Sequence, residues 1–167
     1  MKPVDVVSEI LIERPRKIVA EWSADPENAN LWQRHVRSVD RDREGPLKAG
    51  TRVSFNSRFL GRRISNIYEI LEYAPGEKLV MRTNQLRPTM ETTYSWDIVN
   101  LKMTLMTVRT RGKLAGFAEI TAIFKTRLMK MNQVNQLRRL KQILEAISEE
   151  IEFATQKNDR NLWQRLG

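Results

Sequence analysis

Residues 137–147 read LRRLKQILEAI. Leu137, Leu140, Leu144 and Ile147 recur at alternating steps of three and four, which aligns them along one face of a helix. The stripe continues through Ile151 to Ala154, while Phe153 falls off it. Upstream, Ile120, Ile123, Phe124, Leu128 and Met131 extend it. Between Gly116 and Gly167 there is neither glycine nor proline, and the interval is rich in Leu, Ile, Met, Lys, Gln and Glu. Together these features predict one long C-terminal helix, from about residue 117 to the early 150s.

Upstream the periodicity changes from helical to alternating. Residues 52–59 place Val53, Phe55, Ser57 and Phe59 on one face of a strand. Leu60 to Arg63 supplies a hairpin turn, and Arg63 to Tyr73 a second strand. The Pro75-Gly76 turn leads to a short strand over 78–83, with Leu79, Met81 and Thr83 on one side. Residues 90–98 set Met90, Thr92, Tyr94, Trp96 and Ile98 together. Val99-Asn100 turns the chain into a long β-type run from Leu101 to Arg111, which Gly112 ends. Short loops between these strands require mostly antiparallel neighbours. Near the N-terminus, Val4 to Glu13 reads as a strand with Val6, Ser8, Ile10 and Ile12 on one face. Pro15 to Ser23 is a short helix, and Asp25-Pro26-Glu27 opens another that reaches Trp32. Val36 to Glu44 returns to a strand. The order is strand, two short helices, six strands, long helix.

This order, with its local motifs, resembles the START-like (SRPBCC) superfamily. Polyketide cyclases, Bet v 1-type plant proteins and lipid-transfer domains share its α+β helix-grip fold. The resemblance rests on Glu13-Arg14-Pro15, Ala24-Asp25-Pro26-Glu27-Asn28, Leu31-Trp32 and the run from Gly45 to Thr51. It also rests on Tyr68 to Leu79, Thr93-Tyr94-Ser95-Trp96 and the closing 137–145 segment. It implies a curved antiparallel sheet wrapped around the long helix, with residues 1–154 as one ligand-binding domain and 155–167 as a C-terminal tail.

A bent sheet of so few strands needs the helix to cover its apolar face, and a helix bridging a curve leaves space for a ligand. The expected lining is Phe55, Ser57, Phe59, Tyr68, Met81, Tyr94, Trp96, Met106, Val108, Phe117, Phe124 and Leu128. A one-residue slip in 64–71 or 101–108 would exchange the inward set. All these residue types also pack ordinary cores. Tyr94 and Trp96 stand out because each carries a polar tip that needs a partner when buried. Trp32 reads as a core plug where helix and sheet meet.

Catalytic signals are sparse, and the catalytic residues stay unassigned. The chain of 167 residues has no cysteine and one histidine, His35, which reads as a solvated side chain. This composition removes disulfides, thiolate metal sites and Cys nucleophiles; no metal site and no cofactor are expected. An inward Arg or Tyr could polarise a carbonyl; Arg58, Arg82 and Arg109 are candidates, each of which reads more readily as a solvated strand residue. No phosphate-loop pattern is present. The N-terminal segment carries Asp5, Glu9 and Glu13 and lacks a secretory apolar run, so a cytoplasmic location is expected.

The net charge of +9 is local. Residues 44–130 hold fifteen basic and seven acidic side chains, while the flanking segments are close to balanced. An outer sheet face bearing Arg and Lys accounts for this without a partner. Attraction of an anionic ligand to the pocket mouth is a second reading, and contact with RNA or anionic lipid a third. The pentapeptide Asn-Leu-Trp-Gln-Arg occurs twice, at 30–34 and 161–165.

The leading expectation is binding of a hydrophobic or aromatic small molecule, lipid- or polyketide-like, between sheet and helix. The alternative is a cofactor-independent enzyme resembling polyketide cyclases or dehydratases. A further alternative is an interaction protein using its basic surface on RNA, ribosome or membrane. A homodimer and a peripheral membrane contact stay open as partners; nucleic acid ranks below both because the aromatics read as inward-facing.

Overall fold

The computed structural model describes residues 2–59, 62–83, 89–114 and 119–166. β1 (Lys2–Ile12) leads through Pro15 into α1 (Arg16–Ala24). Asp25 caps a 3-10 turn (Pro26–Asn28), accepting the Glu27 N–H at 3.0 Å, and the chain continues into α2 (Ala29–Trp32). Six strands follow: β2 (Val36–Arg41), β3 (Arg52–Phe59), β4 (Arg62–Ala74), β5 (Lys78–Thr83), β6 (Met90–Asn100) and β7 (Met103–Leu114). The last element is α3 (Glu119–Leu166). Every neighbouring pair of strands is antiparallel, in the spatial order β1-β7-β6-β5-β4-β3-β2. The chain therefore meanders from β2 to β7 and lays β1 beside the last strand. The curved seven-stranded sheet and its long helix form the expected helix-grip fold.

Several boundaries differ from the sequence expectation, each for a local reason. β2 stops at Arg41, short of Glu44. Arg62 and Arg63 belong to β4 and not to the preceding turn, whose Leu60 and Gly61 lie outside the described residues. Val99 and Asn100 are strand residues; the reversal comes at Leu101-Lys102, where the Asn100 Oδ1 accepts the Lys102 N–H at 2.8 Å. An Asn folding back on the chain two residues later is an Asx turn, so Asn100 does make the turn, one position later than its own place. Gly112 lies inside β7. A Cβ there would collide with the Met90 sulfur and sit 2.9 Å from the Thr89 carbonyl oxygen, so glycine permits close strand approach and ends nothing. α3 runs past the early 150s to Leu166, through residues that read as a tail and through the second Asn-Leu-Trp-Gln-Arg. Helix propensity persists there after the apolar stripe fades.

The inner sheet face follows from register. Ser8 pairs with Val108, which pairs with Tyr94, which pairs with Leu79; Ile10, Met106 and Trp96 form the adjacent row. Ile70 is opposite Met81, and Tyr68 opposite both Thr83 and Val53. These residues make the core with Leu137, Leu140 and Leu144 of α3, each 1% exposed or less. Polar ties seat the helix: the Glu13 N–H donates to Glu145 at 2.8 Å, and the Lys141 ammonium donates to the Leu11 carbonyl at 2.8 Å.

The outer face carries the charge. Arg52 of β3 is opposite Glu69, Glu69 opposite Arg82, Arg82 opposite Glu91, Glu91 opposite Arg111, and Arg111 opposite Asp5. Signs alternate across six strands, the arrangement that cross-strand pairing favours. Arg82 donates to Glu91 at 2.9 Å, and Arg109 donates to Asp5 at 2.8 Å. Arg109 holds the Asp5 carboxyl below the usual carboxylate range by hydrogen bond and charge. Arg82 and Arg109 are therefore outer-face, paired residues, not inward carbonyl-polarising groups. The side chain of Arg58 lies outside the described residues. No helix among the described residues is long and apolar enough to cross a membrane.

Candidate ligand-binding site

The candidate site is the inner sheet face, which α3 covers only from Gln133 onward among the described residues. Its aromatic part is built by β3, β4 and β6. The Phe55 and Tyr68 rings meet edge to face at 5.4 Å and 87°. Tyr94 stands beyond β5, near enough for the Tyr68 phenol to raise its pKa further. Burial pushes both phenols above their ordinary value, Tyr94 furthest, so both stay protonated donors at neutral pH.

A row of small hydroxyls crosses this apolar surface. Ser8 donates to the Gln133 Oε1 at 2.9 Å, the Gln133 amide donates to the Thr110 hydroxyl at 2.8 Å, and Thr110 and Thr92 hydroxyls lie 3.1 Å apart. Thr83, one strand further, is 0% exposed, and its hydroxyl has no hydrogen-bond partner. A buried hydroxyl without a partner is rare and costly, and it marks a place where a missing polar group belongs.

The expected lining residues divide into four groups. Phe55, Tyr68, Met81, Tyr94 and Val108 come together on this face. Trp96 and Met106 are 1% and 0% exposed and belong to the packed end of the core. The Trp96 indole N–H donates to the Ser23 hydroxyl at 3.0 Å, so its polar tip holds α1 to the sheet. Ser57 donates to the Ile64 carbonyl at 3.3 Å and lines a groove near the β2 edge with Arg37, Asn56 and Arg63, away from the aromatic group. Phe124 and Leu128 are 69% and 42% exposed. The side chains of Phe59 and Phe117 lie outside the described residues.

The exposure of Phe124 and Leu128 has a geometric cause. Along the described part of α3, burial begins at Gln133. Before it the helix leaves Ile123, Phe124, Leu128 and Met131 uncovered. The stripe is continuous in sequence, but among the described side chains its buried part runs from Gln133 to Leu144.

Sequence reasoning missed Thr83, Thr92, Thr110 and Gln133 as site residues. Thr83 and Thr92 were on the inward faces already, and Gln133 sits four residues before Leu137, on the same stripe. The periodic signal was present; the polar side chains hid it. His35 lies at the surface, as expected, yet it is not a free side chain. Packing lowers its pKa, and its Nδ1 lies 3.3 Å from the Gln136 amide nitrogen, so it is a neutral, engaged ring. Trp32 is 2% exposed and fills the junction of α2, sheet and α3, as expected.

Known proteins agree with this architecture. The chain aligns by structure with TTHA0849 of Thermus thermophilus at TM-score 0.70 and 19% identity, over 86% of this chain and 99% of that one. The di-domain aromatase/cyclase BexL, from the BE-7585A biosynthetic pathway, gives TM-score 0.73 at 16% identity, over 89% of this chain and 48% of that one. The Zhui aromatase/cyclase of Streptomyces sp. R1128 gives TM-score 0.67 at 15% identity, over 86% and 94%. At these identities the likeness is one of fold. No curated protein sequence matches the chain. Residues 3–145 match the profile described as polyketide cyclase / dehydrase and lipid transport, and the chain belongs to that family.

Proposed function

We propose that this protein binds a hydrophobic small molecule carrying at least one polar group, between the inner sheet face and the first half of α3. The observation that carries the reading is the Thr83 hydroxyl, buried and unpartnered opposite Tyr68 and one diagonal step from Thr92. A ligand hydroxyl or carbonyl supplies its missing partner. The uncovered Ile123, Phe124, Leu128 and Met131 suit the apolar body of such a ligand. The aromatase/cyclase names of its structural neighbours favour an aromatic or polyketide-like skeleton.

Native mass spectrometry after gentle purification tests this. The expected result is a retained small molecule. If the protein carries none, and a thermal-shift series with oleate, 1-naphthol and an anthraquinone leaves it unmoved, the reading fails.

A cyclase-like reaction has one observation in its favour. Tyr94, kept protonated by burial, is a fixed donor that can polarise a carbonyl. Its inner-face neighbours Leu79, Met81, Thr92 and Val108 offer no carboxylate, imidazole or amine to receive a proton. Turnover of an aromatic polyketide mimic that Tyr94→Phe abolishes, with affinity retained, would establish this second reading.

A further inference from the structure

On the far side of Trp32 lies a second concavity, of about 560 Å³, between α2 with the turn after it and the middle of α3. This volume falls within the range of small-molecule sites. Three guanidinium groups line it, Arg34, Arg138 and Arg139, and no carboxylate among the described residues does. Arg34 and Arg138 are exposed and have no ion-pair or hydrogen-bond partner among the described residues. Arg139 gives its Nε–H to the Leu31 carbonyl at 2.5 Å, which fixes the guanidinium while leaving its terminal N–H groups free to donate.

Trp32 supplies an independent sign of a missing ligand. It lines this groove, is 2% exposed, and its indole N–H has no acceptor. An indole nitrogen can only donate, so the absent group is an acceptor. His35 adds to the same bias. Its Nδ1 faces the Gln136 amide nitrogen, which can only donate, so in the neutral ring the proton sits on Nε2. The groove thus presents three guanidinium groups, and its lining includes a buried indole whose N–H lacks an acceptor. Amide side chains of Asn132 and Asn135 beside them suit hydroxyl groups.

We propose that this groove binds an organic phosphate monoester, its dianionic head held by Arg34, Arg138 and Arg139 and its hydroxylated body by the amides of α3. Phosphate matches the planar fork of guanidinium and takes more than one such fork at once. The site is separate from the hydrophobic one: Trp32 stands between them, its ring edge-on to Tyr94.

Isothermal titration with ribose 5-phosphate, ribose and inorganic phosphate tests the assignment. Saturable binding of ribose 5-phosphate is expected, with ribose silent and inorganic phosphate weaker. Arg34→Gln and Arg138→Gln should each weaken it by about tenfold, as loss of a charge-assisted bidentate contact does. Both side chains are exposed, so circular dichroism and melting should be unchanged; the two variants provide independent checks should one misfold. Equal heats from ribose and ribose 5-phosphate, or variants that bind as tightly as the parent, would overturn the proposal. So would binding only to long polyanions such as RNA, which would make the arginines a general electrostatic face. None of these outcomes depends on whether the hydrophobic site is occupied.

Discussion

The Trp32 indole meets the Tyr94 ring edge-on, with centroids 6.3 Å apart and planes at 80°. This contact joins α2, a four-residue helix, to the middle of the sheet. It also divides the interior. Tyr94 faces the hydroxyl row of the sheet, and Trp32 backs onto the arginine groove. One aromatic pair therefore separates a surface suited to apolar ligands from one suited to anions.

Thr83→Val should raise stability by about 1 kcal/mol, because it replaces a buried hydroxyl that has no partner with a methyl of similar shape. The same change should weaken ligand binding. Urea denaturation of the ligand-free protein, beside a titration with the retained ligand, reads both effects. Loss of stability together with unchanged affinity would remove Thr83 from the site.

Leu140→Ala should cost about 2–5 kcal/mol, since Leu140 is 0% exposed under the sheet. Phe124→Ala, on the same helix, should stay within about 0.5 kcal/mol. Phe124 is 69% exposed, so its truncation removes little packing. Ligand affinity should reverse the ranking, falling for Phe124→Ala. Thermal melts with and without ligand separate the two.

Tyrosine ionisation sets an alkaline limit. Burial raises the pKa of Tyr68 and Tyr94 above the ordinary 10.0. The unfolded chain loses these protons first, so their contribution is complete below pH 10.0 and is lost as pH rises toward the folded values. Ultraviolet titration should show these two phenols ionising only as the protein unfolds. Reversible ionisation of both at their ordinary value, with the near-ultraviolet circular dichroism intact, would contradict the described packing.

His35 sets a milder acid limit. Packing lowers its pKa below the ordinary 6.5. Below pH 6.5 the unfolded chain takes up a proton that the folded ring resists. Stability from this residue is therefore complete above that pH and falls as the pH drops toward the folded value. Urea midpoints across this range should decline in the parent and decline less in His35→Gln. Identical slopes would show that carboxylates alone govern the acid limb.

Much of the fold was legible because its signals are local and periodic. Alternation in β3 and β5 gave their bounds, and the three-four stripe of α3 gave its buried face from Leu137 to Leu144. Inward faces of β5 and β6 followed from the same alternation, including Met81 and Tyr94; for Tyr68 and Val108, in strands with apolar side chains on both faces, the pairing register decided. The boundaries that moved, at Asn100 and Gly112, are places where a single residue has two physical uses. An Asn both pairs in a strand and caps the turn after it, and a glycine both ends strands and lets them approach.

The sequence by itself determined the element order, the inward strand positions Phe55, Met81, Tyr94 and Trp96, and the concentration of positive charge in residues 44–130. These follow from side-chain type and spacing, which need no knowledge of distant neighbours. Only the tertiary structure decided which part of the α3 stripe is buried, since Phe124 and Leu140 have the same periodic credentials yet are 69% and 0% exposed. It alone set the positive charge into an alternating row, because Asp5 meets Arg109 and Arg111 only when β1 returns to pair with β7. It alone left Thr83 and Trp32 without partners. Hydrogen-bond satisfaction is a property of three-dimensional neighbours, and no spacing along the chain encodes it.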